Sequence, residues 1–186
     1  MTSTTKIFSG QREVRTFADL AHAADVMIIK SEESLEGSYY TIMSALLLTA
    51  FTFEAYLNHL GEKRISFWSR IDSIRVMDKY SVLTTELEIA PDFSRRPCQT
   101  LKALFRFRNS MAHGRSEIVK VEKEVSADID PYEHFPRSAW EEYCTLENAK
   151  RCKKDIDDIV QELHRAAGLG EFPYMHGIGT ASVTSK

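Results

Sequence analysis

An all-α fold is expected, an antiparallel bundle of about five helices. Apolar residues recur at three- and four-residue spacing along most of the 186-residue chain. Strand patterning is nearly absent, and only Glu117 to Val125 reads as extended. With only 8 Gly and 5 Pro, disorder is not expected over most of the chain.

Each helix carries its own signal. The first is expected over Thr16 to Lys30, where Phe17, Leu20, Ala24, Met27 and Ile28 keep a helical spacing. A second, the most apolar, is expected from Gly37 to Leu60. Ile42, Leu46, Ala50, Phe53, Leu57 and Leu60 form one stripe, and Leu48, Phe51, Ala55 and Tyr56 extend it around the circumference. A helix apolar on most sides is central or faces a second molecule. Gly61 is placed to end it. A third helical region covers Phe67 to Leu87, and Pro91, Asp92 and Ser94 mark a loop. The fourth runs from Pro97 to Ala112 with Gly114 beyond it, followed by a long connection containing Pro131 and Pro136. The last spans Thr145 to Ala167, with Ile156, Ile159, Val160 and Leu163 as its buried stripe and Gly168 as its stop. Residues 1–168 therefore read as a single helical domain, and 169–186, rich in Gly, Ser and Thr, as a mobile C-terminal tail.

Composition narrows the function classes. The three cysteines, Cys98, Cys144 and Cys152, are odd in number and form no CxxC pair, which argues against a disulfide framework or a zinc site. His22, His59, His134, His164 and His176 are scattered and form no HxxxH or HExxH pattern, so no metal or other cofactor is expected. Nothing resembles a phosphate-binding loop or a dinucleotide fingerprint. The polar N-terminus lacks the apolar core of a signal peptide, and the apolar stretch Tyr39 to Phe53 is short for a bilayer span. A cytoplasmic protein with no membrane partner is expected. The charge distribution says more than the total. Between Phe93 and Ser116 there is no acid, while Arg95, Arg96, Lys102, Arg106, Arg108 and Arg115 give that window +6 in a chain of net −3. Such a patch is either a solvated basic face or a site for an anion.

The fourth helix holds the residues that can do chemistry. Leu101, Leu104, Phe105, Met111 and Ala112 form its apolar face, and Arg108 sits in the middle of that face. A buried guanidinium needs an acid from another helix or a polar cleft to face. Glu54 on the second helix is the first candidate partner. Asn109 and His113 share a different face with Lys102 and Arg106. His113 stands at the helix C-terminus, where the dipole favours a cation. On an ideal helix Arg108 and His113 are about 140° apart. Either the helix end frays to reorient His113, or a two-fold dimer brings one protomer's His to the other's Arg.

The run Arg108-Asn109-Ser110-Met111-Ala112-His113 resembles the Arg-x4–6-His signature of the HEPN superfamily, with its polar residue straight after the Arg. Leu104-Phe105-Arg106-Phe107 before it and Gly114 after it are similar to the family's local pattern. Upstream, Ala50-Phe51-Thr52-Phe53-Glu54-Ala55-Tyr56-Leu57-Asn58 resembles the long HEPN helix whose polar residue faces the motif. The similarity spans Tyr39 to Gly114 and, by helix order, the C-terminal helix, and the nearest group is the bacterial ribonuclease-like, RiboL-PSP-type one. Some active members carry Tyr two residues after the His; this chain has Arg115 there.

The resemblance implies metal-independent endoribonuclease activity at a site shared by two protomers, in a toxin or defence effector. His113 would be the general base or acid, Arg108 would hold the phosphate, and Asn109 would orient the phosphate or His113. Glu54 would support the Arg, and Lys102, Arg106 and Arg115 would contact substrate. RNA, a second copy of the chain and an antitoxin or other protein are the implied partners. Two other classes stay open. One is a non-catalytic HEPN module that binds RNA, a nucleotide or a protein. The other is a structural helical dimer in which Arg108 is a core ion pair.

Overall fold

The computed structural model describes residues 5–126, 130 and 135–185. Pro131 and His134 lie outside the described residues. The chain is helical: α1 (Thr16–Glu33), α2 (Ser38–Arg64), α3 (Val76–Glu86), α4 (Cys98–Ala112), α5 (Ala139–Tyr143) and α6 (Leu146–Ala166). Two strands, β1 (Lys6–Arg12) and β2 (Gly179–Ser185), form a small antiparallel ribbon.

α2 is the central element and packs against α1, α3, α4 and α6. Its Ala45, Leu46, Ala50, Phe53, Tyr56, Leu57 and Leu60 are completely buried. By length and composition α2 could cross a membrane, but half of its apolar window is covered by the other helices. α6 closes the opposite side with Cys152, Ile156, Ile159, Val160 and Leu163, and its two faces are sharply segregated. Its start is set by Thr145, whose side chain accepts a hydrogen bond from the Asn148 amide at 3.1 Å. At its end Gly168 takes a left-handed φ of 70°, which satisfies the last carbonyls at little steric cost.

Several elements differ from expectation, each for a physical reason. Gly61 does not stop α2; the helix continues to Arg64. The chain then doubles back through a 3-10 turn, Trp68–Arg70, and lays the Trp68 ring on Gly61, where any Cβ would lie 2.2 Å from ring carbons. The glycine permits close approach and is not a cap. That reversal takes up the first part of the expected third helix, so α3 starts only at Val76. α5 was not expected, although Ser138 and Glu141 form a full capping box that fixes its first turn. Glu117 to Val125 is exposed and belongs to no ladder.

The segment 169–186, read as a loose tail, is built into the fold over its described part. Arg165 holds Glu171, Tyr174 donates to Asp157 at 2.8 Å, and Arg15 donates to the Met175 carbonyl at 3.1 Å. Beyond them β2 pairs with β1 in a register from Arg12↔Gly179 to Lys6↔Ser185. Local composition could not show this, because the ladder partner lies at the other end of the chain.

Candidate functional site

α4 forms an exposed ridge with a cleft on each flank. Its buried side seats Leu101, Leu104, Phe105 and Phe107 in the core. Met111 is only half-buried and Ala112 is exposed, so the apolar face ends near Arg108.

On the first flank lies a cleft of about 570 Å³, whose polar lining is Glu54, Arg75, Asp78, Arg108, Asn109 and His113 with Ser73. Arg108 Nη2 donates to Glu54 Oε2 at 2.9 Å, and Nη1 donates to Asn109 Oδ1 at 3.1 Å. Its guanidinium lies 5.8 Å from the Phe51 ring centre. Arg108 Nε is buried and makes no hydrogen bond. A forked cation tied at both outer nitrogens is held in one orientation.

Glu54 serves a second cation. Lys79, only 3% exposed, places Nζ 3.7 Å from Glu54 Oε1 and donates to Asn58 Oδ1 at 2.9 Å. One carboxylate thus faces two cations, and the trio keeps a net positive charge beside an open cleft. In a partly desolvated setting that excess favours an anion. At the mouth Arg75 pairs with Asp78 at 3.1 Å, and this exposed pair adds no net charge.

His113 reaches this cleft because it is the residue at which α4 ends. With φ −120° and ψ 21° it has left helical geometry, while its amide still donates to the Asn109 carbonyl at 3.0 Å. The 140° separation of an ideal helix therefore does not apply. Arg108, Asn109, His113 and Glu54 come together within one chain.

Lys102 and Arg106 do not join them. They line a second cleft of about 510 Å³ on the other flank, with Arg96, Gln99, Thr100 and Arg151. Lys102 Nζ sits 4.6 Å from the Phe93 ring centre. Arg115 is exposed in the irregular segment after α4 and lines neither cleft. Beneath the second cleft Arg96 makes a two-pronged contact with Asp155, both bonds 2.7 Å. Burial raises the Asp155 carboxyl, but hydrogen bonds from Arg96 and Thr100 outweigh it and hold the pKa below the ordinary range.

Behind the first cleft, Lys79 on Glu54 and Asn58 on Lys79 were missed from sequence; neither lines the cleft itself. Lys79 left the same kind of trace as Arg108, a cation on the apolar stripe formed by Val76, Tyr80 and Leu83. The cysteines offer no nucleophile. All three are free and buried, and burial pushes the Cys152 thiol up to about 11. His164 and His59 are packing residues. His164 Nδ1 lies 3.0 Å from the Tyr56 hydroxyl, and His59 packs on Phe17 with ring centres 4.7 Å apart. Among the described residues no group of three His, Cys, Asp or Glu side chains is placed to hold a metal ion.

No protein-family model matches the chain, and no curated protein or solved structure matches it.

Proposed function

We propose that this chain is a HEPN-type, metal-independent endoribonuclease whose site is the Glu54–Arg108–Asn109–His113 cleft. The observation that carries the reading is the Arg108 guanidinium, locked between Glu54 and Asn109, in an open cleft that also receives His113. A cation meant only to satisfy a core acid would be covered; this one is 23% exposed and shares its acid with Lys79.

The chemistry needs three acts. The RNA 2′-oxygen forms a bond to phosphorus as its proton passes to a base. The bond from phosphorus to the 5′-oxygen then breaks, and that oxygen takes up a proton. His113 is the proton-transfer group, since imidazole titrates nearest neutrality. Arg108 steadies the phosphate oxygens as their charge grows, with Glu54 as its positioning residue. Asn109 orients the guanidinium. The products are a 2′,3′-cyclic phosphate and a 5′-hydroxyl.

A two-fold homodimer is part of the proposal. Tyr40, Leu47 and Phe51 form an open apolar stripe on α2 that leads to Glu54, and Tyr40 and Phe51 are 67% and 40% exposed. A second copy laid on that stripe would set two clefts side by side. Light scattering at micromolar concentration should give twice the chain mass, and a monomer would remove this part. A toxin or defence effector held in check by an antitoxin is the biological role such an activity would fill.

The test is incubation with mixed RNA in EDTA and analysis of the ends. Parent protein should cut and leave cyclic phosphates. His113→Ala, with unchanged circular dichroism, should not cut; equal cutting would remove His113 from the mechanism. One observation favours the alternative, a non-catalytic module that binds RNA, a nucleotide or a protein. Among the described residues no side chain hydrogen-bonds the His113 ring, so no described group fixes its tautomer.

A further inference from the structure

The second flank of α4 lies outside the proposed catalytic cleft and holds Lys102 and Arg106, which the resemblance assigns to substrate contact. Four of the residues lining its cleft are charged, and all four are cations: Arg96, Lys102, Arg106 and Arg151. Arg96 is committed to Asp155, and Arg151 lies 3.6 Å from the exposed Glu147. Lys102 and Arg106 pair with no carboxylate among the described residues. Directly beside this cleft is a smaller pocket of about 200 Å³, formed by Phe107, Ser110, Trp140 and Tyr143. Ala103 and Arg106 line both. The two hollows are neighbours across one guanidinium, one cationic and the other aromatic.

The aromatic side is a built surface. The capping box of Ser138 and Glu141 fixes the first turn of α5 and hence Trp140. Tyr143 is already engaged, its ring 5.5 Å from that of Phe107. Trp140 is half-exposed and makes no ring contact among the described residues.

We propose that these two hollows are one nucleotide subsite for single-stranded RNA, with the phosphate among Lys102, Arg106, Arg96 and Arg151 and the base against Trp140. A bare anion site would explain the cations and leave the adjoining aromatic pocket without a purpose. A protein partner's apolar side chain would explain the pocket and leave the cations. A nucleotide supplies both chemistries in one unit, and single strands are held by this combination of backbone cations and ring stacking. Lys102 and Ala112, the last residue of α4, are ten residues apart, about 15 Å along the helix axis, and His113 follows directly. A strand crossing the α4 ridge would reach from this subsite to the first cleft within a few nucleotides. The subsite takes its ligand class from the ribonuclease reading, but binding there needs no cleavage.

The test uses the whole chain and a 2′-O-methyl RNA ten-mer, which cannot be cut. Binding is read from the fluorescence anisotropy of the end-labelled ten-mer, a readout that remains when Trp140 is replaced. Arg106→Gln should weaken binding and lower the slope of log affinity against log salt by about 0.7, one phosphate contact on a single strand. Trp140→Leu should weaken binding about tenfold with the slope unchanged, and Trp140→Phe should restore most of the loss. An abasic ten-mer should bind the parent about tenfold more weakly than the RNA, which tests stacking without any substitution. Parent-like affinity and slope in both variants would overturn the proposal. So would equal binding of the abasic strand, which would leave an unselective anion patch. A chain that shows these effects and never cuts RNA keeps the subsite and loses the ribonuclease. A chain that cuts with unchanged KM in Arg106→Gln and Trp140→Leu keeps the ribonuclease and loses the subsite.

Discussion

At the scale of single residues, the arrangement around Glu54 decides most. Two cations depend on one carboxylate, so neutralising it leaves both without their acid. Glu54→Gln should lower stability by about 1–2 kcal/mol, less than the loss of a fully buried ion pair because Glu54 is itself 26% exposed. A urea midpoint equal to that of the parent would show that the pairing contributes nothing. Arg108→Lys should fail to restore RNA cleavage, since an ammonium cannot touch Glu54, Asn109 and a phosphate in one plane. His59 gives a pH dependence. Burial, then Lys63 and Arg15, depress its pKa to about 4. A histidine with a depressed folded pKa contributes stability above its unfolded value of about 6.5, and loses it as pH falls toward the folded one. The thermal midpoint should therefore decline between these two values, and His59→Gln should decline less steeply. Arg108 and Glu54 were legible because a guanidinium on an apolar stripe demands an acid. The place of His113 was not, since it depends on how the helix ends, and helical spacing describes only residues inside it.

At the scale of elements, α2 and its return through Trp68 are the clearest case of sequence misread. Gly61 resembles a helix stop because glycine commonly serves as one. Here its missing Cβ is space that the Trp68 ring occupies. Gly61→Ala should destabilise the chain by about 1–3 kcal/mol, the range for overpacking, even though alanine favours the helix. In the double variant with Trp68→Leu the loss should be less than the sum of the two single losses, because the leucine gives way. Additive losses in denaturant titrations would mean that the two residues do not meet. Amphipathic spacing made α1, α4 and α6 legible to within a few residues. α5 was missed because five residues carry no periodicity, although Ser138 and Glu141 already stood at capping-box spacing.

At the scale of the whole molecule, the helical core and the terminal ribbon contribute unequally. Every residue of β1 is exposed, so the ribbon covers little of the core that α1, α2, α4 and α6 share. A two-stranded ribbon wetted on both faces is marginal in water, and its ladder is drawn from the low-stability end of a structure. The contacts that do tie the C-terminal segment to the helices, Arg165 with Glu171 and Tyr174 with Asp157, come before β2 begins. Removing residues 1–12 together with 177–186 should therefore leave the helical circular dichroism intact and shift the urea midpoint by no more than about 1 kcal/mol in stability. In the full chain, amides of 6–12 and 179–185 should exchange with solvent well before those of α2 and α6. Both clefts are built from the helices and the turns before α3 and α4, so RNA binding should survive the trimming. A trimmed chain that unfolds without cooperativity would show instead that the pairing of the two ends holds the bundle closed.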